Sequence, residues 1–189
     1  MSEIRLVRLP QRQTNVPTAL HRLRQGLAAL VSRPDPEGDR RLRSLLGDER
    51  QWALVARLSS FDRIHHLAVH DALVAGGCED GDVLRAALLH DIGKADERGR
   101  VQLLHRVVKV LGTRLFPGQL DCLARKDGGW FRHGVWLAVR HADAGAALAS
   151  EAGANARVCD LIRRHHDAEG AADDLGLTIL RHVDEEVSG

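Results

Sequence analysis

Several histidines of this chain stand where the helical pattern of the sequence calls for aliphatic side chains. There are 11 histidines among 189 residues. His65 shares one helical face with Phe61 and Val69 by the 3.6-residue spacing. Four other predicted helices each place a similar polar group on an apolar face, at His90, His141, His165 and Asp184. A buried, unpaired polar group costs free energy, so five separate cases are unfavourable.

A divalent metal ion accounts for these groups together, because its ligands are neutral imidazole nitrogens and anionic carboxylates. Helical bundles commonly build such sites from facing helices. For any single position a hydrogen-bonded core histidine is the commoner explanation. The set as a whole favours a metal site.

The elements that would position these groups are helical nearly throughout, since apolar residues recur at three- and four-residue spacing in successive segments. We predict an all-α fold with helices near 17–32, 40–46, 49–58, 60–76, 81–93, 100–112, 130–140, 142–152, 155–166 and 174–187. Two prolines and a glycine predict a linker at 33–39. Residues 1–50 are interpreted as an N-terminal helical arm with its linker, and residues 51–189 as a compact bundle.

Composition narrows the classes of partner. The formal net charge is +1, and the only aromatics are three Trp and three Phe. Neither favours binding to nucleic acid or to an anionic membrane. No apolar run approaches the ~18 residues of a membrane span, and the first residues do not resemble a signal peptide. The three cysteines form no Cys-x-x-Cys pair, which is typical of a reduced protein, so we expect a cytoplasmic location.

Two segments resemble the HD-domain metal-dependent phosphohydrolase superfamily, and more narrowly its HDIG subset. The first runs Asp62-Arg63-Ile64-His65-His66-Leu67-Ala68-Val69, and the second ends His90-Asp91-Ile92-Gly93-Lys94. A late aspartate completes the family pattern, and Asp184 matches it. His65 fits the first ligand better than His66, because the family has a valine four residues later. The resemblance covers about 60–187 and implies an HD-domain helical bundle.

Two further segments resemble those of dinuclear members. His141-Ala142-Asp143-Ala144-Gly145 resembles their His-x-x-x-Gly segment, and Arg164-His165-His166 resembles their later His or His-His pair. The resemblance implies two divalent transition metal ions, Fe or Mn, with Ni, Co and Zn also open. The implied ligands are His65, His90, Asp91, His141, His165 and Asp184, with His166 as an additional candidate.

Two ions about 3.5–4 Å apart can generate a hydroxide nucleophile and stabilise both the attacking and the departing oxygen at phosphorus. Asp91 is the candidate bridge between them. Lys94 is one of three lysines beside 24 arginines, and the resemblance implies that it contacts a substrate phosphate. Its alternative role is to interact with a helix dipole. Arg163 and Arg164 are further candidates for phosphate contact.

Basic residues are also frequent between the His-Asp pair and His141. They could form a lid over a phosphate, but a solvated helix face explains most of them better. These residues are Arg98, Arg100, Arg106, Lys109, Arg114, Arg125, Lys126, Arg132 and Arg140.

The resulting hypothesis is a metal-dependent phosphohydrolase that cleaves a phosphate ester or nucleotide by metal-activated hydroxide. Phosphomonoesters, phosphodiesters and dinucleoside polyphosphates are the substrates considered. His165-His166 is not followed by Gly-Tyr-Pro, which disfavours the cyclic-di-guanylate phosphodiesterases of this superfamily. Two alternatives remain open: a di-iron HD-fold oxygenase acting on a small polar substrate, and a non-catalytic nucleotide-binding regulatory module. A homodimer is also left open.

Overall fold

The computed structural model describes residues 34–167 and 174–188. These residues form nine α-helices and one 3₁₀ turn, and no strand occurs among them apart from an isolated bridge between Ala95 and Arg100. The helices are α1 Pro36–Leu46, α2 Glu49–Val55, α3 Ser60–Ala75, α4 Gly81–Leu89, α5 Leu103–Leu115, α6 Pro117–Leu123, α7 Trp130–Glu151, α8 Ala156–Arg164 and α9 Leu175–Ser188. The all-α prediction is confirmed for this part of the chain. The predicted helix at 17–32 lies outside the described residues.

Helix α1 begins inside the segment predicted to be a linker, so that prediction is wrong from Pro36 onward. Asp35 caps the helix by accepting a hydrogen bond from the Gly38 N–H at 2.9 Å. Pro36 suits the first helical position, where its missing N–H has no intrahelical partner in any case. Gly47 then ends the helix in the left-handed conformation, with φ of 60°.

The bundle has one main hydrophobic core, to which α1, α3, α4, α8 and α9 all contribute. Leu42 and Leu46 of α1 are each 1% exposed and pack in that core. Helix α1 is therefore packed on the bundle. The division near residue 50 stays a prediction, because residues 1–33 are not described. Among the described helices, none combines the length and apolar character needed to cross a membrane.

Helix α7 is a single helix of 22 residues, whereas the sequence predicted two helices separated near residue 141. His141 thus lies in the middle of a continuous helix rather than at a helix start. Helix α6 begins with Pro117 at its first position. Helices α5 and α6 both pack on α7, so α7 supports the segment of basic residues between the His-Asp pair and His141.

Helix α4 ends at Leu89, four residues earlier than predicted, and the chain then enters a 3₁₀ turn at Ile92–Lys94. This turn packs closely against α7. A Cβ atom on Gly93 would overlap the carbonyl oxygen of His141 and would lie 2.6 Å from the Gly145 nitrogen. Two glycines are needed here because backbone meets backbone, and the contact places His90 and Asp91 beside His141.

We expect Gly93→Ala to destabilise the protein by about 1–3 kcal/mol, because overpacking forces the backbone of the turn away from α7. Gly81→Ala is the matched control, since a Cβ atom there would meet nothing within 4 Å. Denaturant unfolding monitored by circular dichroism would measure both variants. Equal stability of Gly93→Ala and the wild type would contradict the close packing described here.

Candidate metal centre

Two groups of side chains could each hold a metal ion. In the first group, His65, His90 and Asp91 offer ligand atoms that all lie within 4.8 Å of one another. In the second group the same is true of His141, His165 and His166. We call these the first and second clusters. They draw on α3, α7 and the residues that immediately follow α4 and α8.

Asp91 lies between the two clusters. Its Oδ2 is 3.4 Å from His90 Nε2, whereas its Oδ1 is 3.4 Å from His141 Nε2 and 3.8 Å from His165 Nε2. Asp184 completes the first cluster from α9, with Oδ1 at 2.8 Å from His65 Nε2 and 3.6 Å from His90 Nε2. The structure therefore brings together all six side chains named from the sequence, and His166 with them.

Three of the imidazoles are oriented in the same way, through Nδ1 and a backbone carbonyl three residues earlier. The partners are His90 with Ala87 at 2.9 Å, His141 with Ala138 at 3.1 Å, and His165 with Ile162 at 2.6 Å. A carbonyl oxygen only accepts hydrogen bonds, so Nδ1 carries the proton and Nε2 presents a lone pair. Metal-binding histidines in proteins are commonly held by such a contact.

Several of the atoms that face the clusters are buried without a hydrogen-bond partner among the described residues. They include His90 Nε2, His165 Nε2 and Asp91 Oδ1. Leaving buried polar atoms unpaired is costly, and a metal ion would satisfy all three. The donor set thus fits a divalent transition metal. The second cluster also contains His166, which is exposed and whose Nε2 lies 3.0 Å from His141 Nε2.

The electrostatic environment keeps these groups in the protonation states that metal ligands need. Burial lowers the pKa of His141 well below its ordinary value, and burial together with His166 and His90 lowers the pKa of His165 to about 3. Burial alone would raise the pKa of Asp91, but Lys94 and the neighbouring histidines outweigh it and hold that pKa well below its usual range. His141 and His165 are therefore neutral and Asp91 is anionic at neutral pH.

The family model of the HD domain matches residues 63–186, which span about two-thirds of the chain and contain every residue of both clusters. The chain belongs to the HD domain family. HD domain proteins are usually metal-dependent hydrolases. No curated protein and no solved structure matches the chain at a significant level. Membership of the narrower HDIG subset stays a prediction.

The side chain of His66 is more deeply buried in this HD domain than the sequence indicated. It is 0% exposed, and its Nδ1 lies 2.9 Å from the carbonyl oxygen of Leu88. Its Nε2 has no partner among the described residues, and its ring centroid lies 4.6 Å from that of His90. The spacing of the buried residues Asp62, His66, Val69 and Leu73 along α3 is the signal that could have identified it.

Lys94 lies at the centre, where its ammonium group contacts Asp91 Oδ2 and lies 4.0 Å from Asp62 Oδ1. Asp62 is buried and was not identified from the sequence. It accepts hydrogen bonds from Arg106 at 2.6 and 2.9 Å. Burial would raise the pKa of Asp62, but Lys94 and Arg106 hold it below its usual value. Asp62 therefore links Lys94, in the turn after α4, to Arg106 on α5.

The two arginines before the histidine pair are placed differently. Arg163 is exposed, and Arg164 donates to Asp160 at 2.9 Å on the same helix. These observations do not connect either side chain with the two clusters. Their contact with a substrate phosphate stays a prediction.

We expect His65→Ala to reduce the bound metal, because His65 offers a ligand atom to the first cluster. His66→Ala should retain metal and instead lower the free energy of unfolding by about 2 kcal/mol or more, because it leaves a cavity in the core. Elemental analysis of Mn²⁺-loaded, gel-filtered protein and thermal unfolding would measure the two effects. If His66→Ala lost metal while His65→Ala kept all of it, the ligand would be His66 and not His65.

Asp91→Ala should abolish binding at both clusters while leaving the helical content unchanged, because Asp91 faces both of them. His141→Ala should lower the metal content without abolishing it, because it removes a ligand from the second cluster alone. Metal analysis with far-ultraviolet circular dichroism would test this pair. Two ions retained in Asp91→Ala would rule out the bridging position.

Proposed function

We propose that this HD domain protein is a metal-dependent phosphohydrolase that cleaves a phosphate ester or nucleotide, with water as the nucleophile. The observation that carries the proposal is the position of Asp91. This buried carboxylate faces three histidine nitrogens across two clusters and contacts the ammonium group of Lys94. A two-ion centre with a cation beside it is suited to phosphoryl transfer.

The donor set supports two ions rather than one. The first cluster with Asp184 would supply His65, His90, Asp91 and Asp184, and the second would supply His141, His165, His166 and the shared Asp91. Seven side chains exceed what one ion can take while it keeps positions open for water and substrate. Nitrogen and carboxylate donors without thiolates suit Mn, Fe, Co, Ni or Zn. When bound, two such ions lower the pKa of a water molecule and offset negative charge on a phosphoryl group.

The residues of the chain then have separate tasks. Asp91 would offer one carboxylate oxygen to each cluster, and its contact with the ammonium group positions Lys94 beside them. Lys94 has three donor hydrogens, so contact with Asp91 leaves it able to donate to a phosphate oxygen. Such a donor stabilises charge that develops on phosphate oxygens during hydrolysis. Asp62 keeps Lys94 from moving toward solvent and is itself held by Arg106.

The test is phosphate release by protein loaded with Mn²⁺ or Fe²⁺. The substrates would be p-nitrophenyl phosphate, bis(p-nitrophenyl) phosphate and a dinucleoside tetraphosphate, and oxygen uptake would be measured in parallel. We expect metal-dependent hydrolysis of at least one class without oxygen consumption. Lys94→Gln should lower kcat by roughly 10²-fold and keep its metal, because one transition-state donor is lost.

Lys126→Gln is the matched control, since Lys126 is exposed and lies over the ring of Trp136. Its kcat should equal that of the wild type. Oxygen consumption coupled to loss of an organic substrate, with no phosphate release, would replace the proposal by the oxygenase alternative. Tight nucleotide binding with neither reaction would favour the regulatory module.

A further inference from the structure

Helix α5 presents a lysine on its inward face. Leu104, Val107 and Leu111 lie on the exposed side of this helix. Lys109 lies on the other side, one turn from the fully buried His105, and its own side chain is partly withdrawn from water. The solvated face expected for most basic residues of this segment therefore does not describe Lys109.

The other two cations of this corner each have a carboxylate partner. Arg106 is paired with Asp62, and Lys94 is in contact with Asp91. Lys109 differs, because no carboxylate among the described residues is in ion-pair contact with it. The charged groups that act most strongly on it are Lys94, Asp91 and Arg106. Helix α5 packs on α7, which carries His141, and its Arg106 is bonded to Asp62 beside Lys94, so the inward face of α5 is turned toward the centre. In keeping with this, the charge of Lys109 contributes to the lowered pKa of His141 and of His166.

This arrangement is unfavourable until an anion binds. Burial and the repulsion from Lys94 lower the pKa of Lys109, and Asp91 offsets only part of this. Asp91 and Asp62 are in contact with Lys94 and Arg106, and neither carboxylate is in ion-pair contact with Lys109. A phosphate oxygen beside Lys109 would relieve the repulsion and satisfy its donor hydrogens.

We propose that Lys109 binds a second phosphoryl group of the substrate, so that the preferred substrates carry two adjacent phosphate groups. This inference rests on the proposed function. Two ions and Lys94 would already contact the oxygens of the phosphoryl group under attack. Lys109 approaches from a different element, the inward face of α5, and is therefore placed for the neighbouring phosphoryl group of a diphosphate or nucleoside polyphosphate.

The test compares two non-hydrolysable probes, methylenediphosphonate and methylphosphonate, by calorimetric titration of Mn²⁺-loaded protein whose metal content is checked afterwards. Lys109→Gln should weaken binding of the diphosphonate roughly tenfold, since a charge-assisted hydrogen bond is lost. Binding of the monophosphonate should change by less than about twofold. Lys109→Arg should retain most of the diphosphonate affinity, and Lys126→Gln should leave both affinities unchanged.

Equal weakening of both probes, or no weakening, in Lys109→Gln would overturn the inference. Thermal unfolding of the same protein gives a second measurement. Without anion, Lys109→Gln should be at least as stable as the wild type, because it removes a repulsive charge, and it should gain less stability when the diphosphonate is added. Equal stabilisation of both proteins by the diphosphonate would also contradict the role of Lys109.

Kinetics separate this inference from the proposed function. If the wild-type protein hydrolyses p-nitrophenyl phosphate and a nucleoside diphosphate, but Lys109→Gln keeps the same ratio of kcat/KM between them, the inference fails alone. A rise in KM for the diphosphate only, with kcat little changed, supports it. If the metal-loaded wild type hydrolyses no ester, the proposed function fails, and the comparison of the two probes then decides the role of Lys109 by itself.

Discussion

The negative charge of Asp91 is the constraint on which the rest of the centre depends. Its carboxylate is 3% exposed, and a buried carboxylate without partners would destabilise the fold by several kcal/mol. Lys94 contacts Oδ2, which also faces His90 of the first cluster, whereas Oδ1 faces His141 and His165 of the second cluster. Each of these partners belongs to a different helix or turn. Burial of this one charge therefore requires the ends of α4 and α8 and the middle of α7 to meet, and the glycine contact between the 3₁₀ turn and α7 permits that approach.

A metal centre also needs imidazoles of fixed orientation, and the ends of two helices provide it. His90 and His165 each follow the last residue of a helix, and each donates from Nδ1 to a carbonyl oxygen in the final turn. Carbonyls in a final turn lack intrahelical donors, so the contact satisfies an otherwise unpaired group and directs Nε2 toward the centre. The same two interactions thus end the helices and orient the rings. His141 achieves the same orientation inside a continuous helix.

The sequence allowed the helical class and the convergence of six side chains to be predicted, because apolar spacing shows which face of each helix is buried. The spacing predicted the inward-facing positions of His65 and Asp184, both of which lie four or more residues from the ends of their helices. For the adjacent His65 and His66 the spacing allows two interpretations, since each continues an apolar stripe of α3, and the contact of His66 with Leu88 decides between them. The apolar spacing also could not predict that Asp62 and Lys109 lie near the centre. Their positions follow from the contact of Arg106 on α5 with Asp62 on α3 and from the packing of α5 on α7, and such long-range contacts leave no local periodicity. The helix predicted at 40–46 is the later part of α1, and its first turn was missed because capping by Asp35 and Pro36 has the composition of a loop.

The balanced net charge of the chain has a consequence for how the centre would attract the phosphate substrate proposed for it. Lys94, Arg106 and Lys109 are matched by Asp62, Asp91 and Asp184, so the side chains of this region are close to neutral as a group. Surplus positive charge at the centre would then come from the metal ions themselves. Because a formal net charge of +1 gives little long-range attraction, and because screening in physiological salt limits surface fields to about 8 Å, an anionic substrate would be drawn only at short range. Metal binding should therefore precede phosphate binding, and the two should be thermodynamically coupled, since each ion adds attraction for the phosphate and each phosphate adds attraction for the ions.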